Sequence, residues 1–287
     1  MRVMISGSNG LLGGTLVSRC YDRGIPSEPY RRSEEVNSEA LSERLISQRV
    51  SVFVHCAANT NVELCEKEPE QSYRDIVELT EKLAIACSIA KVRFVFISST
   101  GVYGKGQAEP YTETDETVPT TAHHSHKLQA ERIVLDLMPD SLIVRTGWLF
   151  GGCVDNPKNF VVNRIKEARQ TAMTGKKMLS DKGQFGCPTY ASDVADTLLE
   201  LIGRNESGLF NCVNQGRASR FEYVQEIVKL SGVHVSVDPV PSSYFRRLAK
   251  VSFNETALNH RLIELNIGNL ANWKDSLAKY ISALDMN

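Results

Sequence analysis

The stretch RVMISGSNGLLGGTL, residues 2–16, runs from a short apolar segment into glycines at positions 7, 10 and 13 and then into a helical pattern. That order carries a physical meaning. Consecutive apolar residues suit a strand covered on both faces, and glycines directly after it let the backbone turn sharply and approach a ligand closely. The helix that follows offers unpaired N–H groups and the positive end of its dipole to an anion. Gly7, Gly10 and Gly13 therefore predict a dinucleotide pyrophosphate site, with Asn9 and Leu11 in the same turn as cofactor contacts. A glycine-rich turn without a ligand is the plain alternative, and the rest of the chain decides between them.

Further apolar, β-rich runs follow at VSVFVHCA (50–57), RFVFIS (93–98) and LIVRTGWLF (142–150), separated by amphipathic stretches such as 66–90 and 124–138. Strands that alternate with helices and show no polar face predict an α/β fold, a doubly wound parallel sheet of the Rossmann kind. Beyond residue 150 the rhythm changes. NFVVNRIKEARQ (159–170), 221–231 and 271–284 read as helices, and GLFNCVN (208–214) as a strand. The expected organisation is a dinucleotide-binding domain over 1–150 and a substrate-binding lobe over 151–287, with segments near 187–215 returning to the sheet.

Composition narrows the function. Lys and Arg number 33 against 34 Asp and Glu in 287 residues, so no basic face for nucleic acid is implied. Seven scattered cysteines without a Cys-x-x-Cys pair predict free thiols in the cytoplasm rather than a disulfide framework or a zinc site. No apolar run approaches the roughly 18 residues of a membrane span, and the chain passes directly into a strand, leaving no room for a signal peptide. No membrane partner and no metal are expected. In EPYRRSEE (28–35), at the end of the second strand, Arg31 and Arg32 stand where a carboxylate would suit NAD. Two guanidinium groups suit a 2′-phosphate, so NADP (NADPH) is the expected cofactor; a solvated basic loop is the alternative.

With those motifs in place, the chain resembles the extended short-chain dehydrogenase/reductases, most closely the dTDP-4-dehydrorhamnose reductase-like branch that reduces ketones of nucleotide sugars. The resemblance spans nearly the whole chain. It rests on the glycine turn, HCAANTNVELCEKEPE (55–70), FISSTGVYG (96–104), EPYTETDETVP (109–119), KLQAE (127–131), RTGWLFGG (145–152) and DKGQFGCPTYASDVAD (181–196). It implies that Ala57 and Ala58 touch the cofactor, that Ser99 orients the substrate's keto oxygen, and that Lys127 holds the nicotinamide ribose. Such enzymes carry a tyrosine four residues before the lysine, and in this chain that residue is His123.

Three readings of His123 are open. The site has lost catalysis and the protein is a non-catalytic, dinucleotide-binding regulatory protein; or HHSH (123–126) is a metal cluster; or an imidazole replaces the phenol as proton donor. The third is favoured, because Ser99 and Lys127 remain. Lys127 one turn away and burial then predict an imidazole pKa below the ordinary value. On the substrate side the resemblance implies Tyr103, Trp148, Asn159, Phe160 and Gln184. The expected activity is NADP-dependent reduction of a keto group on a nucleotide-linked or phosphorylated sugar, with a nucleotide-sugar epimerase as a further alternative and homodimer formation left open. Thr100-Gly101 after Ser99, in place of an acid pair, disfavours dehydration.

Overall fold

The computed structural model describes residues 1–31, 36–104, 106–268 and 270–284. Its strands are β1 (Val3–Ser6), β2 (Ser27–Tyr30), β3 (Val52–His55), β4 (Arg93–Ser99), β5 (Leu142–Thr146), β6 (Leu149–Phe150), β7 (Met178–Asp181), β8 (Phe185–Gly186), β9 (Thr189–Tyr190), β10 (Gly208–Asn211), β11 (Ala218–Ser219) and β12 (Val237–Val240). Six of them form one sheet in the order β10-β5-β4-β3-β1-β2, and every neighbouring pair is parallel. The others make two-stranded ladders, β6 with β9, β7 with β12 and β8 with β11.

Strand sequence dictates the layers. Val3 and Ile5 of β1 pack on one side of the sheet and Met4 on the other, as Val52 and Val54 oppose Phe53 in β3. Neither face tolerates water, so each needs a helical cover. Helices α1 (Leu11–Asp22) and α8 (Ala191–Gly203) cover the first face, and α2 (Ser38–Ser47), α5 (Leu79–Ala90) and α6 (Ala122–Leu137) the second. The chain leaves β1 in one direction toward β2 and in the other toward β3. The carboxyl ends of β1 and β3 thus flank the switch point where parallel sheets of this kind bind ligands.

Two elements expected as single pieces are divided. The 66–90 stretch comprises α3 (Val62–Lys67), α4 (Pro69–Tyr73), a π-helical turn at Arg74–Glu78, and α5. Pro69 explains the first break, since it lacks an N–H for the preceding ladder and is preorganised for a first helical turn. The 142–150 run stops at Thr146 and resumes as β6, with Trp148 between them in a left-handed conformation (φ 46°).

In the second half, α8 and β10 build the main sheet layer, and α10 (His260–Glu264) packs on β10. Helices α7 (Phe160–Met173), α9 (Arg220–Leu230) and α11 (Trp273–Ser282) enclose a separate core around Phe150, Ile165, Tyr223, Trp273 and Leu277. Among the described residues no helix is long and apolar enough to cross a membrane.

Candidate active site

The glycine turn joins β1 to α1 at the switch point. Gly7 is left-handed (φ 69°), and a Cβ there would stand 2.8 Å from the Ala57 nitrogen. A Cβ on Gly13 would stand 2.2 Å from the Gly7 carbonyl oxygen, so the helix start packs on the turn only as glycine. Gly10 caps α1 without a side-chain hydrogen bond, which leaves the first-turn N–H groups beside Asn9 and Leu11 open to an anion. Below lies a polar chain that sequence reasoning missed. Ser6 Oγ is 2.6 Å from His55 Nδ1, His55 Nε2 is 3.1 Å from Thr80 Oγ1, and the Ala57 N–H donates to Ser6 Oγ. Burial, aided by Lys127, lowers the His55 pKa to about 3, so this ring is a neutral link in the floor.

A cavity of about 380 Å³ opens on the β2 side of the turn, lined by Gly7, Tyr30, Ala57, Ala58, Asn59 and Lys158 among others. A second of about 490 Å³ lies against Asn9, Gly10, Leu11, Cys153, Asn156 and Tyr190. The turn is a cradle that side chains would fill, bordered by space and by unpaired helix donors, and it fits a dinucleotide. Arg31 is exposed directly after Tyr30, while Arg32 lies outside the described residues.

Ser99 ends β4, and its Oγ accepts the Gly101 N–H at 3.2 Å in the short 3₁₀ turn Thr100–Val102. Across from it runs α6, started by Thr121, whose hydroxyl accepts the His124 N–H. His123, Lys127 and Glu131 recur every four residues and all are buried. Lys127 Nζ donates to the Ile97 carbonyl at 2.7 Å and sits 4.6 Å from the centre of the Phe96 ring. Burial lowers its pKa to about 8. Glu131 holds Arg145 of β5 through two contacts, Nε at 3.0 Å and Nη2 at 2.6 Å, in an ion pair closed to solvent.

His123 places Nδ1 3.9 Å from Cys65 Sγ. Burial first, then His124 and Lys127, hold its pKa well below the ordinary 6.5. The neighbouring histidines diverge. His126 Nδ1 meets Ser72 Oγ of α4 at 2.9 Å, and His124 Nδ1 meets Thr121 Oγ1 at 3.0 Å. Among the described residues no three His, Cys, Asp or Glu side chains converge as a metal site.

Trp148, Phe160 and Gln184 come together, and Arg220 and Glu255, which sequence reasoning did not name, join them. The Arg220 guanidinium lies 3.4 Å from the Trp148 ring centre and 5.4 Å from that of Phe160, and Trp148 Nε1 donates to Glu255 Oε2 at 3.0 Å. Gln184 Oε1 accepts from Arg247 at 3.5 Å. Burial lowers the Arg220 pKa to about 10, Glu255 opposing. Two expected substrate contacts need correction, because Tyr103 and Asn159 have no exposed surface. Tyr103 stacks on Tyr111 under Arg145 and donates its hydroxyl to Asn211 Oδ1. Asn159 caps α7 and donates to the Gly151 and Cys153 carbonyls and the Tyr280 hydroxyl. Both are framework residues whose polar atoms are committed within the protein.

The profile of the family described as the RmlD substrate binding domain matches residues 1–286. The chain belongs to this family. A dTDP-4-dehydrorhamnose reductase of Mycobacterium tuberculosis is 29% identical over 289 residues, spanning 98% of this chain and 93% of that protein. Among solved structures, a dTDP-4-dehydrorhamnose reductase from Clostridium acetobutylicum superposes with a TM-score of 0.92 at 30% identity over 100% of both chains. One from Bacillus anthracis, solved in complex with NADP, gives 0.90 at 25% identity over 99% of each. The fold is that of the extended short-chain dehydrogenase/reductases, as the motifs implied.

Proposed function

We propose that this protein is an NADP-dependent oxidoreductase that reduces a keto group on a nucleotide-linked sugar. The observation that carries this reading is that α6, with His123 and Lys127 buried a turn apart on it, packs against β4 and against the short turn that follows Ser99 at the carboxyl end of that strand. The Gly7–Leu11 turn would hold the pyrophosphate, Tyr30 and Arg31 border the adenosine side, and Ala57 and Ala58 line the path between. When bound, the cofactor supplies the hydride. Ser99 Oγ donates to the keto oxygen and aligns it. Lys127, with one N–H committed to Ile97, has two more for the ribose. His123 then gives up a proton to the oxygen, from its imidazolium form; with its pKa lowered, that form is a minority at neutral pH, so turnover rises as pH falls toward that pKa.

Trp148, Arg220, Arg247 and Glu255 close the other side, where stacking and cationic groups suit a nucleotide diphosphate. The reaction would run in the cytoplasm, without nucleic acid or membrane. The test is NADPH consumption with dTDP-4-dehydrorhamnose and related nucleotide keto-sugars. His123→Phe should lower kcat roughly a hundredfold and flatten its rise on acidification. Bound NADPH with no turnover across the panel would point to a regulatory protein, and C4 exchange without net NADPH use to an epimerase.

A further inference from the structure

The residue after His123 has a geometry of its own. His124 is 5% exposed, and its Nδ1 lies 3.0 Å from Thr121 Oγ1. That hydroxyl already accepts the His124 backbone N–H, so its own proton is free to be donated to Nδ1. Nδ1 is then the acceptor, and the ring proton resides on Nε2. The Nε2 end of the ring rests on Gly101, where an added Cβ would stand 2.2 Å from both Cε1 and Nε2. The imidazole thus fills the space a side chain at 101 would take. Gly101 is also the residue whose N–H binds Ser99 Oγ, so the ring is fixed to the turn that carries Ser99.

Nε2 has no hydrogen-bond partner among the described residues, nor is it among the fully enclosed side-chain atoms that lack one. A donor that is immobilised, without a partner among the described residues and held on the Ser99 turn is suited to a ligand oxygen. Burial and Lys127 keep the ring neutral against the opposing pull of Glu255. A neutral imidazole polarises a carbonyl without needing to lose its proton.

We propose that His124 is a second substrate contact, its Nε2–H donating a hydrogen bond to the same sugar keto oxygen that Ser99 meets. The assignment rests on the reductase reading above. His124 keeps its proton throughout, and the proton added to the oxygen still comes from His123. Because the oxygen gains negative charge as hydride arrives, the hydrogen bond strengthens in the transition state, so kcat is affected more than KM.

The experiment compares the parent with His124→Phe, which keeps a flat ring without a donor, and His124→Gln, whose amide N–H reaches about as far as Nε2. Kinetics with dTDP-4-dehydrorhamnose are paired with NADPH affinity and thermal melting. The Phe variant should lose about a hundredfold in kcat, while the Gln variant stays within about tenfold of the parent and both bind NADPH normally. His124→Leu replaces the Phe variant if the latter melts early. A donorless variant within threefold of the parent's kcat overturns the proposal. So does equal loss in both variants with NADPH binding retained, since that marks a packing role. A parent that binds NADPH but reduces no keto-sugar overturns the reductase reading and this assignment together, whereas with an active parent the variants bear on His124 alone.

Discussion

Lys127→Met should make the protein more stable while weakening its cofactor site. An ammonium whose pKa falls from 10.5 to about 8 on burial carries a penalty of about 3 kcal/mol wherever it stays protonated, at about 1.4 kcal/mol per tenfold change. Methionine fills the same channel without charge but leaves the Ile97 carbonyl without its 2.7 Å donor, a loss of about 1–3 kcal/mol. The variant should therefore gain up to about 2 kcal/mol at pH 7, read from urea unfolding of the cofactor-free protein. The sign of the pH dependence follows from proton counts. Between pH 8 and 10.5 the unfolded chain keeps this proton and the folded one has released it, so parental stability climbs with pH. By pH 9.5 the variant's advantage should have shrunk by about 2 kcal/mol. NADPH affinity should fall at least about tenfold from loss of the proposed ribose contact. A variant less stable than the parent at pH 7, or a difference unchanged by pH, would refute the reasoning that burial of charge dominates at this lysine.

The parent should bind NADP(H) at least about tenfold more tightly than NAD(H), and replacing both Arg31 and Arg32 with Ala should erase most of that preference in fluorescence titrations; equal affinities in the parent would sink the NADP assignment. Glu131→Ala strands the Arg145 guanidinium in the interior and should cost about 3–5 kcal/mol in denaturant unfolding; a loss below about 1 kcal/mol would mean that water reaches the pair. Gly13→Ala forces a methyl to within 2.2 Å of the Gly7 carbonyl, so NADPH binding should be lost ahead of the fold, and undiminished affinity would show that the turn shifts freely.

The parallel sheet was legible because its strands are buried on both faces, and that burial writes itself as short continuous apolar runs such as VMIS and VFVH. The shared buried face of His123 and Lys127 was legible because helical spacing alone puts residues 123 and 127 one turn apart. Contacts between distant segments left no such trace. Arg220 and Glu255 meet at Trp148 only after α9 and the 254–257 segment have docked, and neither lies in a pattern that announces the others. Tyr103 and Asn159 misled for the opposite reason. Each belongs to a motif next to the cleft, yet the side chains turn inward, where Asn211 and the α7 cap satisfy them. Gly101 shows the limit most clearly, because its lack of a side chain makes sense only with the His124 ring in view.

Helix α6 concentrates the consequences of these contacts. Its buried face carries His123, Lys127 and Glu131 at successive turns, and only the last is tied to the sheet by a bidentate ion pair. Arg145 stands in β5 opposite Ser98 of β4, the residue before Ser99, so the pair registers the helix against the strand that ends in the proposed catalytic hydroxyl. At the other end the Ala122 N–H donates to Glu66 Oε2 of α3, and Thr121 holds the first turn and the His124 ring together. The helix is therefore pinned at both ends about the two positions where chemistry is proposed. An imidazole reaches less far than a phenol, by about 2 Å, and misplacement of about 1 Å can cost a hundredfold. An imidazole proposed in place of a phenol is consequently more demanding of backbone position, and a helix held at both ends, with a second imidazole seated on the Ser99 turn, would meet that demand through placement rather than through reach.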